Sequence, residues 1–317
     1  MLLRLTVSDK RKALITTAYG QDSIYLGRLL RKKGYEVLAL NHRNTLPPNH
    51  NHFDISINSD ITNTDLVISV IEQFGPHEIY NLAAVSSVAS SWQNPRLALE
   101  VNGHSVARLI QGITNLSTNQ TYRFFQAGST DMVGKPFISS GEVEFYPWSP
   151  YGHSKEIARQ AILFARENQG FWGVNGILTN HDSIYRAKSF VIPLVAKQIN
   201  EILKGERKTI QLENPSIARD WAHAKDIMQG AWNMMQLETP RDLVLATGIT
   251  CTLNELIEQC SLTLNVPLKV EQLQRVQSRK YDFASINVDA GFAHEVLRWI
   301  PEFTGSRTLL SLVQGKE

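Results

Sequence analysis

Length, charge and cysteine content exclude several classes of protein. The chain has 317 residues, enough for one large domain or two modest ones, and its net charge of +2 lacks the basic excess of nucleic-acid-binding proteins. Residues 1–7 are too short for a signal sequence, no stretch reaches the roughly 18 apolar residues of a membrane span, and Cys251 and Cys260 match no metal or disulfide pattern. We therefore expect a cytoplasmic protein without nucleic-acid, membrane or metal partners.

The first forty residues read as a strand, a helix and a second strand. The apolar run Ala13–Thr17 precedes an amphipathic stretch that Gly34 closes, and Glu36–Leu40 follows as the second run. Further strands are predicted at 78–84, 123–127, 173–178 and 209–212, and helices at 63–74, 97–113, 156–170 and 190–203. This alternation predicts an α/β fold, a Rossmann-type doubly wound parallel sheet with a smaller C-terminal α/β portion.

The turn after the first strand is where a dinucleotide pyrophosphate would bind, on amide groups at a helix N-terminus. A dinucleotide fold of this type carries glycine at three spaced positions of this turn, and here they hold Thr17, Gly20 and Ser23. Only position 20 keeps glycine, the residue that lets the backbone approach a pyrophosphate closely. The turn predicts a nucleotide site with an altered backbone, and an ordinary α/β loop is the alternative.

Residues after the following strands suggest the rest of a cofactor site. Arg43 follows the second strand, where an arginine pairs with the 2′-phosphate of NADP and an acidic residue with the ribose of NAD, so Arg43 favours NADP. Asp60 is placed to bind the adenine amino group, or to cap the next helix. The small residues after Leu82, namely Ala83 and Ala84, let a flat ring approach, and Ser86 begins a serine-rich segment, read as a loop, that faces a polar substrate.

A tyrosine and a lysine four residues apart form the candidate catalytic pair. Tyr151 and Lys155 share one face of a helix, and a nearby ammonium group lowers the pKa of a phenol toward the working pH. Ser129, Thr130 and Asp131 follow the strand at 123–127, at the carboxyl edge where parallel sheets bind ligands. His181 and His223 have no suitably spaced third ligand, so no metal site is expected.

The chain resembles extended short-chain dehydrogenases/reductases, and most closely the GDP-mannose 4,6-dehydratases. The resemblance covers nearly the whole chain. It rests on these motifs: Gly20-Gln21-Asp22 with Tyr25-Leu26, Asn81-Leu82, Ser129-Thr130-Asp131, Phe145-Tyr146-Pro147, Ser149-Pro150-Tyr151 with Lys155, Asn175-Gly176-Ile177-Leu178, Asn180-His181, Arg219-Asp220-Trp221, His223-Ala224-Lys225-Asp226 and Ala246-Thr247-Gly248. The runs around Asn180 and Arg219 are the more specific to this family.

The resemblance implies an activity and a role for each residue of the site. NADP would oxidise C4 of the sugar, a carboxylate would remove the C5 proton as water leaves C6, and the hydride would return to C6. The implied catalytic residues are Ser129, Asp131, Tyr151 and Lys155. The implied cofactor residues are Thr17, Gly20, Gln21, Asp22, Arg43, Asp60, Leu82, Ala83, Ala84, Tyr151, Lys155 and His181. The implied substrate residues are Ser86, Thr130, Asn180, Val191, Arg219 and Arg279.

Some positions depart from the family pattern. Asp131 is one methylene shorter than the family's glutamate, and Pro193-Leu194 replaces an arginine-lysine pair on the nucleotide side. Two alternatives therefore stay open: a related nucleotide-sugar epimerase, reductase or dehydratase with another substrate, and a non-catalytic nucleotide-sugar-binding relative.

The resemblance also guides the expected organisation of the chain. We expect residues 1–178 to form the NADP-binding Rossmann domain with the catalytic residues. Residues 179–317 are expected to form mainly the nucleotide-sugar-binding portion, with some segments returning to the Rossmann sheet. Segments that build a tetramer in the family are altered here, so a homodimer through the helices at 97–113 and 156–170 is expected, with a tetramer as the alternative.

Overall fold

Strands and helices alternate along the chain as the apolar periodicity predicts. The computed structural model describes residues 10–43, 51–117, 120–139, 143–274 and 283–317. The strands are β1 Lys12–Ile15, β2 Glu36–Asn41, β3 Ile55–Asn58, β4 Glu78–Asn81, β5 Arg123–Ala127, β6 Phe137–Ile138, β7 Trp172–Leu178, β8 Asn180–Asp182, β9 Thr209–Leu212, β10 Ala218–His223, β11 Leu243–Leu245, β12 Thr250–Thr252, β13 Lys269–Gln272 and β14 Asn287–Val288.

The helices are α1 Gln21–Lys32, α2 Thr64–Phe74, α3 Val88–Gln93, α4 Pro95–Leu99, α5 Ser105–Thr114, α6 Pro150–Gln169, α7 Val191–Leu203, α8 Ala224–Met234, α9 Leu253–Leu264, α10 Gly291–Leu297 and α11 Ser306–Val313. A π-helical turn, Glu100–His104, joins α4 to α5, and a 3-10 turn spans Thr130–Met132. None of the helices in the described ranges is long and apolar enough to cross a membrane.

Seven parallel strands form the central sheet, in the order β11-β7-β5-β4-β1-β2-β3. Every residue of β4 is buried, as expected for a strand covered on both faces. Connections leave the sheet in opposite directions from β1 and β4, so a crevice opens at the carboxyl ends of these neighbours. The predicted Rossmann-type fold is confirmed, and this crevice is its ligand-binding place.

Helices cover both faces of the sheet with apolar side chains. On one face, Leu26 and Leu30 of α1 are buried in a cluster with Met228 and Ala231 of α8. On the other face, α2, α5 and α6 bury a second cluster around Phe124 of β5. Burial of this apolar area stabilises the layers by roughly 25 cal/mol for each Å² removed from water.

The C-terminal part of the chain adds three smaller sheets and one strand of the large sheet. Strands β12, β10 and β8 form one small sheet, β9 pairs with β13, and β6 pairs with β14. Helices α7, α9 and α11 bury a further apolar cluster around Trp221. Strand β11 returns to the edge of the large sheet beside β7.

Several predicted boundaries are wrong, for local reasons. The strand predicted at 78–84 ends at Asn81. The serine-rich segment predicted as a loop contains α3, because the Ser87 side chain accepts a hydrogen bond from the Ser90 amide and starts a helix. The helix predicted from Leu97 starts two residues earlier at Pro95, which suits a first helical position. Asp60 does not cap α2, since Asn63 fills that position.

Candidate active site

The turn between β1 and α1 is held by hydroxyl groups where glycines were expected. The Tyr19 amide donates to Thr17 Oγ1 at 3.1 Å, and Ser23 Oγ donates to the Tyr19 carbonyl at 3.1 Å. Both hydroxyl residues are buried. Gly20 has a φ of 94° and starts α1, so a side chain there would be strained. The turn therefore keeps the one glycine that its backbone requires.

A chain of polar side chains fixes the floor of the crevice across three strands. Thr16 Oγ1 donates to Asn81 Oδ1 at 2.7 Å, and Asn81 Nδ2 donates to Gln126 Oε1 at 2.7 Å. The amides of Leu82 and Ala83 both donate to Thr16 Oγ1, at 3.1 and 3.0 Å. The predicted cofactor segment that Leu82 begins is thus anchored to β1. Sequence reasoning missed Thr16 and Gln126, because their partners lie far away along the chain.

Asn102 anchors the other end of the same segment. Its Oδ1 accepts from the Val85 amide at 2.8 Å, and its Nδ2 donates to the Val85 carbonyl at 3.1 Å and to Ser154 Oγ at 3.0 Å. Asn102 lies in the π-helical turn, a local deformation often found at functional sites. It ties the segment after β4 to α6, the helix that carries the candidate catalytic pair. Sequence reasoning missed this residue as well.

The four predicted catalytic residues come together at the carboxyl end of β5. Ser129 Oγ donates to Asp131 Oδ2 at 3.1 Å, and the Ser129 side chain is near enough to the Tyr151 phenol to act on its pKa. Lys155 Nζ donates to the Ala127 carbonyl at 2.8 Å and lies 5.8 Å from the centre of the Tyr151 ring. A hydroxyl, a phenol, a carboxyl and an ammonium group therefore lie close together.

The expected lowering of the Tyr151 pKa is wrong for this structure. Burial raises the pKa of Tyr151 above its ordinary value of 10.0, and the Asp131 carboxylate raises it further, while the Ser129 hydroxyl opposes both. Burial also lowers the pKa of Lys155 to about 8. Removal of both side chains from water disfavours their charged forms, and this effect exceeds the attraction on which the prediction relied.

The first turn of α6 packs directly on the Ser129–Met132 turn. A Cβ atom on Gly152 would lie 2.5 Å from the Asp131 carbonyl oxygen, so only glycine fits there. Ser149 caps α6 by accepting from the Gly152 amide at 3.0 Å, and Ser91 Oγ accepts from the Tyr151 amide at 3.1 Å. These contacts fix the phenol relative to the carboxyl group. Ser91 is a further residue that sequence reasoning did not assign.

A second polar cluster lies where α1 meets β8. His181 Nε2 is 3.2 Å from the Asp22 carboxyl oxygens, and His181 Nδ1 is 2.7 Å from the Thr179 carbonyl. Gln21 Nε2 donates to the His181 carbonyl at 2.8 Å, and Ser183 Oγ donates to Gln21 Oε1 at 2.9 Å. Three predicted cofactor residues, Gln21, Asp22 and His181, thus form one cluster.

Charge stabilises this cluster although burial opposes it. Burial alone would raise the pKa of Asp22, but His181 holds it below its ordinary value of 3.8. Burial and Arg186 act to lower the pKa of His181, but the Asp22 carboxylate keeps it above 6.5. Arg186 also acts on the Tyr151 phenol, so it is a cation near the catalytic residues that sequence reasoning missed.

The residues predicted to bind the adenosine end of the cofactor lie at the other end of the crevice. Arg43 and Asp60 are exposed and follow β2 and β3, respectively. Three strand spacings separate β2 from β5, which corresponds to ~14 Å at about 4.8 Å for each spacing. Asp60 Oδ1 accepts from the amide and hydroxyl of Thr62, so it stabilises a local turn. A ligand that contacts Arg43 and Tyr151 together must therefore be long.

The predicted substrate residues are spread over several elements. Asn180 on β8 and Arg219 on β10 belong to one three-stranded sheet, and Asn180 pairs in register with Trp221. Thr130 is buried in the turn after β5, Ser86 is exposed after β4, and Val191 is the first residue of α7. Arg219 is buried, and its Nη1 donates to the Ala218 carbonyl at 2.7 Å. Arg279 lies outside the described residues.

The histidines do not form a metal centre in the part of the chain that the structure describes, where no group of three potential ligands occurs. His223 Nδ1 accepts from the Lys225 amide at 3.1 Å and starts α8. Its ring packs against Tyr25 and Phe303, and burial lowers its pKa to about 4. A neutral, packed imidazole is typical of a structural role.

Comparison with known proteins identifies the family. The sequence pattern of the GDP-mannose 4,6 dehydratase family matches residues 14–309. GDP-mannose 4,6 dehydratase 2 of Arabidopsis thaliana is 35% identical over 316 residues, covering 94% of this chain and 84% of that protein. GDP-mannose 4,6 dehydratase of Cricetulus griseus is 32% identical over 342 residues, covering 96% of this chain and 91% of that protein. The chain belongs to the GDP-mannose 4,6-dehydratase family.

The solved structures confirm the fold of this family member. RMD from Pseudomonas aeruginosa, solved in complex with NADPH, superimposes with a TM-score of 0.80 at 19% identity, covering 96% of this chain and 98% of that one. The resemblance stated from sequence motifs is therefore confirmed, and so is the class of enzyme, a nucleotide-sugar 4,6-dehydratase of the extended short-chain dehydrogenase/reductase type.

The Asp22–His181 pair predicts a specific pH dependence of stability. The pKa of His181 is above 6.5, so its contribution is fully present below pH 6.5 and is lost as the pH rises through the folded pKa. The pKa of Asp22 is below 3.8, so its contribution is present above pH 3.8 and is lost as the pH falls through the folded pKa. Asp22→Asn should lower the free energy of unfolding by about 2 kcal/mol near pH ~5.5, and by less near pH ~9. Urea unfolding at both pH values measures this difference.

Glu258→Gln is the matched control, since it removes an exposed carboxylate from α9. It should change the free energy of unfolding by less than about 0.5 kcal/mol at either pH. An effect of Asp22→Asn that is equal at both pH values would contradict the charged pair.

Proposed function

We propose that this protein is an NADP-dependent GDP-mannose 4,6-dehydratase, which converts GDP-mannose to GDP-4-keto-6-deoxymannose and water. The observation that carries the proposal is the joint placement of Ser129, Tyr151 and Asp131 around one volume beside Lys155. A dehydration of this kind needs a group for the C4 hydroxyl proton and a separate carboxylate for the C5 proton. The membership of the family supports GDP-mannose as the substrate.

The residues of the crevice fit NADP. The amides at the start of α1, after Gly20, are suited to its pyrophosphate, because helix N-termini attract anions. The small side chains of Ala83 and Ala84 leave room for a ring above the anchored segment. Lys155 and His181 would contact the nicotinamide ribose end, and the distance across three strands to Arg43 suits the extended cofactor.

Tyr151 and Ser129 would handle the proton at C4. Bound in the crevice, NADP+ would supply an acceptor for two electrons from C4 and a positive ring that favours the ionised form of Tyr151. Tyr151 Oη would take the proton of the C4 hydroxyl, and the Ser129 hydroxyl, which donates to Asp131 Oδ2 in the absence of substrate, would turn to donate to the C4 oxygen. Lys155, protonated below its pKa of about 8, stabilises the negative phenolate from the next helical turn.

Asp131 would remove the proton from C5. Oxidation at C4 makes this proton acidic, so a carboxylate within reach is sufficient as the base. The proton held by Asp131 would pass to the C6 hydroxyl, which would leave as water. C6 would then regain the hydrogen and two electrons that bound NADP had accepted from C4, and the proton held by Tyr151 would return to C5. The net change is loss of one water, and the cofactor ends in its starting state.

One observation favours a second candidate, a related nucleotide-sugar epimerase or reductase. The Asp131 side chain is one methylene shorter than the family's glutamate, and its Oδ2 is engaged by Ser129. A displacement of about 1 Å from the reacting atom can cost ~10²-fold in rate. If the carboxylate does not reach C5, oxidation at C4 would proceed without loss of water.

Variants of Asp131 distinguish the two candidates. The wild-type protein should convert GDP-mannose to the 4-keto-6-deoxy product without net consumption of NADPH. Asp131→Asn should lower this turnover by about 10²- to 10⁴-fold, because the amide cannot accept the C5 proton. Asp131→Glu, which restores the family's residue, should stay within about tenfold of the wild type. Mass spectrometry of the nucleotide sugars measures the loss of water.

The control for this series is Asp65→Asn, which changes an exposed carboxyl group in the first turn of α2 and should not alter turnover. Formation of a 4-epimer or a reduced sugar by the wild type would favour the second candidate. Binding of GDP-mannose with no chemical change at all would favour a non-catalytic relative.

We also propose that the protein forms a homodimer through α5 and α6. These helices pack side by side, and a groove of about 250 Å³ lies between them on the surface. Ala107, Ile110 and Ala161 line this groove, and Phe164 stands beside it with 61% of its surface exposed. An exposed aromatic side chain next to an apolar groove favours association with the same face of a second copy.

Substitution of Phe164 tests the dimer. Phe164→Glu would place a charge in the interface, so analytical ultracentrifugation should show a monomer where the wild type sediments as a dimer. Leu262→Glu is the control, because Leu262 is 77% exposed on α9, away from this face, and its substitution should leave the dimer intact. A wild-type monomer, or an unchanged dimer with Phe164→Glu, would contradict the proposal.

A further inference from the structure

Tyr19 occupies an unusual place in the turn between β1 and α1. Its backbone is held at both polar atoms, since Thr17 Oγ1 accepts from its amide at 3.1 Å and Ser23 Oγ donates to its carbonyl at 3.1 Å. Thr17 and Ser23 are the two residues that stand where glycines were expected. The preceding residue is fixed too, because the Ala18 amide donates to the Leu40 carbonyl of β2 at 2.6 Å. The turn therefore fixes the backbone of Tyr19 beside the end of β2.

Two cationic or ionisable side chains from the end of β2 pack on this ring. The guanidinium carbon of Arg43 lies 4.4 Å from the centre of the Tyr19 ring, within the range of a cation–π contact. The His42 ring meets the Tyr19 ring edge to face, with centres 5.2 Å apart. Arg43 Nε donates to His42 Nε2 at 3.3 Å, and the Arg43 amide donates to Asn41 Oδ1 at 3.0 Å.

We propose that Tyr19 is a positioning residue that holds Arg43 for the 2′-phosphate of the dinucleotide, and so sets the preference for NADP over NAD. The inference rests on the proposed NADP-dependent function, and it assigns a role to a residue that makes no catalytic contact. Thr17 and Ser23 act through Tyr19, because their hydroxyl groups fix its backbone.

The physical reason lies in the freedom of an exposed arginine. Arg43 is on the surface, and ordering a long, free side chain against a ligand costs rotamer entropy. A guanidinium group already held against an aromatic ring loses less freedom when it binds a phosphate, and its planar set of N–H donors suits bidentate pairing. NAD carries a hydroxyl group in place of this phosphate, so the positioned guanidinium group strengthens the binding of NADP and not that of NAD.

The same reasoning explains the altered glycines of the turn. A turn with glycine at positions 17 and 23 has no hydroxyl groups to hold residue 19. In this chain the buried hydroxyls of Thr17 and Ser23 are compatible with the turn, because the strained backbone conformation falls on Gly20 alone, with its φ of 94°. The two residues that replace glycines, Thr17 and Ser23, thus both hydrogen-bond the only aromatic residue of the turn, Tyr19.

Equilibrium binding of two dinucleotides tests the proposal. Dissociation constants for NADP⁺ and NAD⁺ would be measured by titration calorimetry for the wild type and for Tyr19→Ala, Tyr19→Phe and Arg43→Ala. Tyr19→Ala should weaken NADP⁺ binding about five- to tenfold and change NAD⁺ binding by less than about twofold. Tyr19→Phe keeps the ring and should match the wild type. Thr17→Gly combined with Ser23→Gly should give a smaller loss, again confined to NADP⁺.

A double variant separates positioning from a general effect on the turn. Tyr19→Ala combined with Arg43→Ala should bind NADP⁺ no more weakly than Arg43→Ala alone, because Tyr19 acts through Arg43. The probes 2′-AMP and 5′-AMP, which differ in phosphate position, should reproduce the pattern, with only 2′-AMP affected. Thermal melting shows that each variant is folded, and Tyr19→Phe provides a conservative comparison if Tyr19→Ala is not.

Four results would overturn the proposal. Equal weakening of NADP⁺ and NAD⁺ by Tyr19→Ala would show that Tyr19 supports the turn in general. Additive losses in the double variant would show that it acts independently of Arg43. If the wild type prefers NADP⁺ and Tyr19→Ala has the same dissociation constants, the role of Tyr19 is contradicted but the proposed cofactor is not. A wild type without preference for NADP⁺ would instead contradict the proposed cofactor, and the Tyr19 proposal with it.

Discussion

The candidate active site depends on the close approach of α6 to the turn after β5. Gly152 allows this approach, because any side chain at that position would collide with the Asp131 carbonyl oxygen. Tyr151 and Lys155 extend from one side of the contact, and Ser129 and Asp131 from the other. Ser149, Ser91 and Asn102 then fix α6 by hydrogen bonds, so the distances between the reacting groups are set by packing and not by flexible loops.

Burial disfavours charged side chains in this site, and only those with an oppositely charged neighbour are compensated for it. Burial raises the pKa of Tyr151 and lowers that of Lys155. The site without a ligand therefore holds a neutral phenol beside a lysine that loses its proton more easily than an exposed one. In the Asp22–His181 pair nearby, each partner offsets the desolvation of the other's charged form. The chemistry assigned to Tyr151 therefore requires a further positive charge, and bound NADP+ is the source of one.

The sequence predicted the parts of the structure that local patterns determine. The periodicity before Gly34 located α1 and its flanking strands, and the four-residue spacing of Tyr151 and Lys155 placed both on one helix. Local patterns do not predict contacts between residues far apart in the chain. Thr16 binds Asn81, 65 residues away, and Asn102 binds Ser154, 52 residues away. The predicted direction of the Tyr151 pKa shift was wrong for the same reason, since burial is a property of the folded chain.

An isotope experiment tests directly whether hydrogen passes from C4 to C6 within the same substrate molecule. GDP-mannose that carries deuterium at C4 would be converted by the protein with a trace of NADP⁺, and the product and the cofactor examined by NMR. The account predicts that the deuterium appears in the C6 methyl group of the product and that no deuterated NADPH accumulates. Deuterium that remains at C4, or that leaves with the cofactor, would contradict it.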